Sequence, residues 1–264
     1  PNPQRDSQGP VDRGVPRGNR AAMCGMNDPL LQPVPDEGPR ASAPLVDGDC
    51  LSAREFLKRY LPCRGTVKAE LIGGLVAMET GSETASMDLS TSMIRSCLRS
   101  YAIQTPGTQM DSDAVVVLGW DTVPQPSLVL RVLPDYGGRS RMSTTKVIEQ
   151  APELMVDFAT NEGAFDQRGK LRAFRANGVG EYLVWWSDSR TLDWYTLERG
   201  EYTLVLPDFN GVLASPSFPG LRLNHSALVN QTSGAFMATL QTSLQSPEHA
   251  SFVERLAKKK NAAQ

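Results

Sequence analysis

The apolar run Leu154, Met155, Val156, Phe158, Ala159 is broken at one position, by Asp157. A run this short and this apolar reads as a strand covered on both faces, so Asp157 must be paired, bound to metal, or protonated. A helix follows around Lys170, and Tyr182 to Trp186 forms the next apolar run, which predicts a strand, helix, strand unit over 153–187. Upstream, Ser52 is placed to cap a short helix containing Glu55, Phe56 and Leu57. Ala69–Ile72 and Leu75–Met78 flank Gly73-Gly74, a two-residue turn of the kind that matches strand twist, so a hairpin is expected. Leu89, Met93, Ile94, Cys97, Leu98 and Tyr101 recur at helical spacing, and that helix should stop before Pro106-Gly107. Residues 114–118 and 127–133 read as strands separated by a turn at Pro124 and Pro126, and 134–149 as a locally basic loop with Arg139, Arg141 and Lys146. Past the central unit, 191–197 and 201–206 predict a second hairpin around Arg199-Gly200, and 212–223 an irregular closing segment. From 226 to 260 the pattern is helical, with Ser246-Pro247 at the cap and first turn of the last helix.

Composition adds boundaries. A chain of 264 residues with 40% hydrophobic content can bury a full core. Residues 1–50 hold nine of the nineteen prolines and little apolar periodicity, which predicts a disordered Pro-rich leader. The globular domain is expected over 51–225 and a C-terminal helical extension over 226–264. The chain opens on proline rather than methionine, as a processed or truncated N-terminus would. A net charge of −2 gives no overall attraction to nucleic acid, so any DNA binding must come from local patches. The four cysteines are scattered without a C-x-x-C pair, which argues against a zinc knuckle or a disulfide scaffold and makes the cytoplasm the simplest compartment. No apolar stretch is long enough for a membrane span, and no signal peptide is evident.

Of the chemistries considered, a phosphate loop fails on spacing around Gly163 and Gly169-Lys170, and Leu171 stands where a hydroxyl must reach magnesium. Serine-type catalysis lacks a nucleophile elbow, and the two histidines, His225 and His249, are expected at solvent. Metal-assisted phosphodiester hydrolysis needs carboxylates on a hard cation and a lysine near the attacking water, and Asp157 and Lys170 supply one of each. The structural alternative pairs Lys170 with Asp166 across one helical turn and neutralises Asp157 with an arginine. Arg168, Arg172 and Arg175 form a stripe that could face phosphates, although a solvated helix face is the commoner explanation of such a pattern.

Several short blocks, in order, carry a resemblance. They are Glu70-Leu71-Ile72-Gly73-Gly74, Gln125-Pro126-Ser127, Gly137-Gly138-Arg139-Ser140-Arg141, Ala151-Pro152-Glu153-Leu154, Lys170-Leu171, Gly178-Val179-Gly180-Glu181-Tyr182, Phe218-Pro219-Gly220-Leu221 and Ser246-Pro247-Glu248-His249-Ala250. On these the chain, from about residue 51 to 256, resembles the bacterial Uma-two family of restriction-endonuclease-like proteins, in the PD-(D/E)XK nuclease superfamily. The resemblance implies an α/β fold of the α+β type: a restriction-endonuclease-like core with a central mixed β-sheet flanked by helices, and C-terminal helices. It implies a Mg²⁺- or Mn²⁺-dependent DNA endonuclease, with DNA as partner and a homodimer as one possible assembly.

In that family a Pro-Asp motif supplies one metal-binding acid, the next strand supplies a second, usually glutamate, and the lysine sits on the following helix. Lys170 matches the lysine and Glu70 the glutamate of the first hairpin. Two positions depart: Ser127 follows Pro126 where the family has aspartate, and Asp157 takes the place of the glutamate. The resemblance therefore implies Glu70, Asp157 and Lys170 as catalytic residues, Asp157 and Glu70 as metal ligands, and Arg139, Arg141 and Arg172 as DNA contacts. Serine offers no charge, and aspartate withdraws its carboxylate by about one bond, ~1.5 Å, so a weakened metal site is expected. Asp135 also follows a proline but lies in the Gly-rich loop after the strand. The alternative function is a catalytically inactive nuclease fold that binds DNA or protein.

Overall fold

The computed structural model describes residues 43–78, 88–160 and 167–262. Ser52 accepts a hydrogen bond from the Glu55 amide at 3.3 Å and starts α1 (Ala53–Tyr60). β1 (Ala69–Ile72) and β2 (Leu75–Met78) pair antiparallel, with Ile72 opposite Leu75 and Glu70 opposite Ala77. Gly73 and Gly74 between them both take positive φ, which this turn requires and glycine tolerates. α2 (Leu89–Gln104) is capped by Asp88, whose carboxylate accepts from the Thr91 amide at 2.7 Å. It buries Met93, Ile94, Cys97, Leu98 and Tyr101 of the face anticipated from their spacing, whereas Leu89, expected on the same face, is exposed in the first turn.

The strands that follow are β3 (Thr108–Ser112), β4 (Val116–Val117), β5 (Leu128–Val132), β6 (Arg141–Met142), β7 (Ile148–Glu149) and β8 (Leu154–Ala159). After α3 (Gln167–Ala176) come β9 (Glu181–Trp186), β10 (Thr191–Glu198) and β11 (Glu201–Leu204). Six of them build the central sheet in the order β11-β10-β9-β8-β5-β3. Only β8 and β9 run parallel, joined through α3, so the sheet is mixed. Every residue of β5, β8 and β9 is buried, because both sheet faces are covered. Leu128, Leu130, Leu154, Val156, Leu183 and Trp185 face the larger core with α2. Val129, Met155, Tyr182 and Val184 face a second core that also contains Phe174 of α3. By strand alternation Asp157 shares this second face with Met155 and Ala159.

The chain closes with β12 (Val212–Ala214) and β13 (Arg222–Asn224), then α4 (His225–Val229), α5 (Ser233–Leu244) and α6 (Pro247–Ala262). Leu228, Phe236 and Leu240 from these helices are fully buried in the larger core. At about 1.5–3 kcal/mol per fully buried side chain, this packing is a substantial part of what holds the sheet's first face. The architecture is thus the mixed α/β class expected, with a central mixed sheet and C-terminal helices. Among the described residues no helix is long and apolar enough to cross a membrane.

Several expectations need correction. β3 was not anticipated: its Gln109 and Asp111 are polar because they receive hydrogen bonds from the buried Arg131 of β5, at 2.9 Å each. The 134–149 segment is not a plain loop, since β6 and β7 pair within it and β7 joins β4 in a three-stranded sheet. The 212–223 segment contains the β12–β13 hairpin. His249 does not face solvent; it is 6% exposed, with Nδ1 2.8 Å from the Leu244 carbonyl and Nε2 2.9 Å from Thr105 Oγ1. His225 is half-buried. Of the leader expected over 1–50, residues 1–42 lie outside the described residues. Within the remainder Gly48 already donates to the Val76 carbonyl at 2.8 Å, so ordered structure begins before residue 51.

Candidate active site

The antiparallel register of β5 and β8, with Leu128 opposite Val156, brings Ser127 alongside Asp157 on one face of the sheet. The Ser127 amide donates to Asp157 Oδ1 at 3.3 Å, and Ser127 Oγ accepts from the Phe158 amide at 3.4 Å. Lys170, on the turn of α3 that covers this face, donates to Asp157 Oδ2 at 2.9 Å. The same ammonium reaches Glu70 of β1, at 2.9 and 3.0 Å from its two carboxylate oxygens. Tyr182 of β9 donates its hydroxyl to Asp157 Oδ2 at 2.8 Å. All five side chains are buried.

Burial works against the charge of Asp157, but the Lys170 ammonium, the hydrogen bonds from Lys170 and Tyr182, and the charge of Lys68 hold its carboxyl below its usual range. Burial likewise opposes the charge of Lys170, and Asp157 and Glu70 outweigh it, pushing the ammonium's pKa up. Burial and the neighbouring Asp157 carboxylate push the Tyr182 phenol well above its ordinary value. At neutral pH the site therefore holds an ionised Asp157, a protonated Lys170 and a neutral Tyr182. Lys170 in this state can donate hydrogen bonds and stabilise negative charge, but it cannot take a proton from water.

The oxygens gathered here are the carboxylates of Glu70 and Asp157 and the hydroxyl of Ser127. An all-oxygen set suits a hard divalent cation in donor type. It is short in charge, because Ser127 is neutral and Lys170 offsets one carboxylate. Among the described residues no group of three or more His, Cys, Asp or Glu is arranged to hold a metal ion. The alternative pairing of Asp157 with an arginine is not what the structure contains; its cation is Lys170. Asp166, the other partner considered for Lys170, lies outside the described residues.

The arginines expected to contact DNA are elsewhere. Arg139 donates to the Gly178 carbonyl at 3.0 Å beyond the end of α3, and Arg141 is paired with Glu149 at 2.7 Å. Arg172 is exposed on α3, and its neighbour in the stripe, Arg175, pairs with Glu201. Tyr182 was missed as a site residue, because within Tyr182-Leu183-Val184-Trp185-Trp186 it looks like one more core position. Only the parallel β8–β9 register, with Met155 opposite Tyr182, puts its hydroxyl on the face of Asp157. Also missed was the support of the segment leading into Ser127. Tyr60 donates to the Gln125 side-chain oxygen, Gln125 donates to the Asp113 carbonyl at 3.0 Å, and the Asp113 amide donates to the Ser127 carbonyl at 3.1 Å.

The sequence profile of the Uma2 family, described as "Putative restriction endonuclease", matches residues 54–226. A solved structure described as a "putative nuclease belonging to DUF820 from Anabaena variabilis" is similar with a TM-score of 0.52 and 14% identity, covering 69% of this chain and 98% of that one. At that identity the likeness is one of fold. No curated protein matches the chain.

Proposed function

The chain belongs to the Uma2 family, and from that premise we propose that it is a divalent-cation-assisted DNA endonuclease with a weakened metal site. The observation that carries this reading is the single ammonium of Lys170 held between Glu70 and Asp157, beside Ser127. Burying two carboxylates and a lysine is costly, and well-packed apolar residues would serve stability as well or better. Four polar positions gathered from β1, the start of β5, β8 and α3 are more economically explained by chemistry than by packing.

Glu70 and Asp157 would hold Mg²⁺ or Mn²⁺, with the Ser127 hydroxyl as a neutral third oxygen. When bound, such a cation stabilises charge on the phosphoryl oxygens and lowers the pKa of a bound water. Lys170 supplies a fixed positive charge and hydrogen bonds that orient a water or a phosphate oxygen. Tyr182 keeps Asp157 ionised and in place through its hydrogen bond to Oδ2. Arg172 and Arg139, both exposed, are available to phosphates outside the site. Its substrate would be DNA in the cytoplasm, a reducing compartment that suits the thiols of Cys63 and Cys97, and a homodimer would offer one site to each strand. Purified protein incubated with plasmid and Mg²⁺ or Mn²⁺ should nick or linearise it slowly, and Asp157→Ala should abolish this. An absence of cleavage, together with unchanged metal and DNA binding in Asp157→Ala, would overturn the reading.

A second reading is favoured by one observation: Lys170 already satisfies both carboxylates, as it would in a non-catalytic relative that keeps the scaffold for DNA or protein binding. The two part on Ser127→Asp, which restores cation affinity in a weakened nuclease and does nothing of the kind in a repurposed scaffold.

A further inference from the structure

Trp120 is 78% exposed, whereas the other three tryptophans, Trp185, Trp186 and Trp194, are at most 3% exposed. Its turn is nevertheless firmly tied down. The Trp120 carbonyl accepts from the Ala53 amide at 2.6 Å, at the start of α1, and the Asp121 carbonyl accepts from Gly74 in the β1–β2 turn at 2.7 Å. Within the turn Leu118 donates to the Thr122 carbonyl at 3.0 Å. Gly119 approaches the residue that follows α3 so closely that a Cβ there would come within 2.7 Å of Asn177 Oδ1. Val123 then exchanges backbone hydrogen bonds with Leu71, the neighbour of Glu70, at 3.0 and 2.7 Å.

β1 carries Glu70 and α3 carries Lys170, so this turn is clamped between two elements that furnish the candidate site. From Glu70 to the end of β1 at Ile72 is two residues of strand, roughly 7 Å or about two base steps of DNA, and the Gly73-Gly74 turn that holds Asp121 follows directly. Arg54, exposed on α1, directly follows the residue whose amide holds Trp120, and exposed Arg139 is fixed on Gly178 just past α3. An indole on a rigid mount gives up little entropy on contact, and aromatic faces flanked by cations are what unpaired bases stack upon. A protein-binding hot spot would need an apolar surround that excludes water. Trp120 is instead flanked by Gly119 and Asp121.

Resting on the reading of the chain as one that acts on DNA, we propose that Trp120 is a stacking platform for an unpaired nucleobase of the strand that enters the site, with Arg54 meeting an adjacent phosphate. The test measures anisotropy of labelled oligonucleotides with the full chain in EDTA, so that no strand is cut. Trp120→Ala should weaken binding of a single strand or an overhang about tenfold, with little effect on a blunt duplex and an unchanged melting temperature. Trp120→Phe, which keeps a ring, should retain most of the affinity. Because the other tryptophans are buried, acrylamide quenching reports mainly on Trp120, and a single strand should shield it. If the wild type binds DNA and Trp120→Ala binds equally well, the stacking role is wrong while the DNA reading stands. If the wild type binds no oligonucleotide even at low salt, the DNA reading fails and this inference with it. If Trp120 is shielded on concentrating the protein alone, and Trp120→Ala removes that self-association in sedimentation, the indole is a protein contact and the proposal is overturned.

Discussion

Lys170 and Glu70, a hundred residues apart in the chain, meet with the lysine ammonium 2.9 and 3.0 Å from the two oxygens of the carboxylate. The same ammonium holds Asp157 at 2.9 Å, so one cation ties the first hairpin to the central sheet across a buried gap. In a medium that hydrates charge poorly, each acid depends on that cation, and anything that removes it must be replaced by another positive charge.

Lys170→Met should therefore destabilise the protein by about 3–5 kcal/mol, because two buried carboxylates lose their partner. Added Mg²⁺ should recover part of the loss in the variant and raise the melting temperature of the wild type less, since in the wild type the ammonium competes for the same oxygens. Thermal melts with and without Mg²⁺ check this. Equal Mg²⁺ effects on the two proteins would mean that the carboxylates do not form a cation site.

Acid stability should depend on Tyr182. Asp157 titrates below its unfolded value, against the effect of burial, because of Lys170 and Tyr182. Its ionised form thus adds stability above the unfolded-chain value of ~3.9, and that contribution is lost as pH falls through the lower folded value. Tyr182→Phe keeps the ring against Phe174, whose centroid is 4.9 Å away, and removes only the hydroxyl. The folded value then rises, so urea midpoints should fall by the equivalent of about 1.5–3 kcal/mol near pH 7 and by less at pH 3. A loss of equal size at both pH values would show that the bond to the ionised acid is not responsible.

Glu181 makes a separate prediction about the fold. It is fully buried and accepts hydrogen bonds from Trp194 Nε1, Ser215 Oγ and the Ser217 amide, each at 2.7 Å. Those bonds pin the segment after β12 to the start of β9. Glu181→Ala leaves two buried donors, Trp194 Nε1 and Ser215 Oγ, and the half-buried Ser217 amide unpaired and should cost on the order of 3 kcal/mol, seen as a lower urea midpoint with red-shifted tryptophan emission. Unchanged emission and midpoint would mean that water replaces the carboxylate at no cost.

What could be read from the chain was local. The Gly73-Gly74 hairpin, the Ser52 cap and the strand, helix, strand unit around Asp157 follow from turn chemistry, capping and periodicity within a dozen residues. The burial demand on Asp157 was legible too, because a charge inside an apolar strand needs a partner whatever the topology. Its partners were not. That Lys170 serves Glu70 as well depends on where the first hairpin lands, and that Tyr182 reaches Asp157 depends on a parallel register no local pattern encodes. β3 escaped notice because Gln109 and Asp111 answer to Arg131 on the next strand, and His249 because Thr105 and Leu244, distant or a turn away, take up its ring nitrogens.

Ser127→Asp addresses what this site has become. Ser127 lies next to Asp157 through its amide and accepts from Phe158, so an aspartate there would add a third carboxylate beside Glu70 and Asp157. Without metal that extra buried charge has only Lys170 to share, and stability should drop by about 1–3 kcal/mol. With Mg²⁺ the sign should reverse: a ligand held only by the native state stabilises it by RT ln(1 + [L]/Kd), so a Kd tightened tenfold yields about 1.4 kcal/mol more at saturating metal. The expected result is a melting temperature below wild type in EDTA and a larger Mg²⁺-induced rise, with faster plasmid nicking. If Ser127→Asp loses stability in EDTA and Mg²⁺ restores none of it, Glu70, Asp157 and position 127 do not converge on a common cation, and the ion pairs of Lys170 are structural.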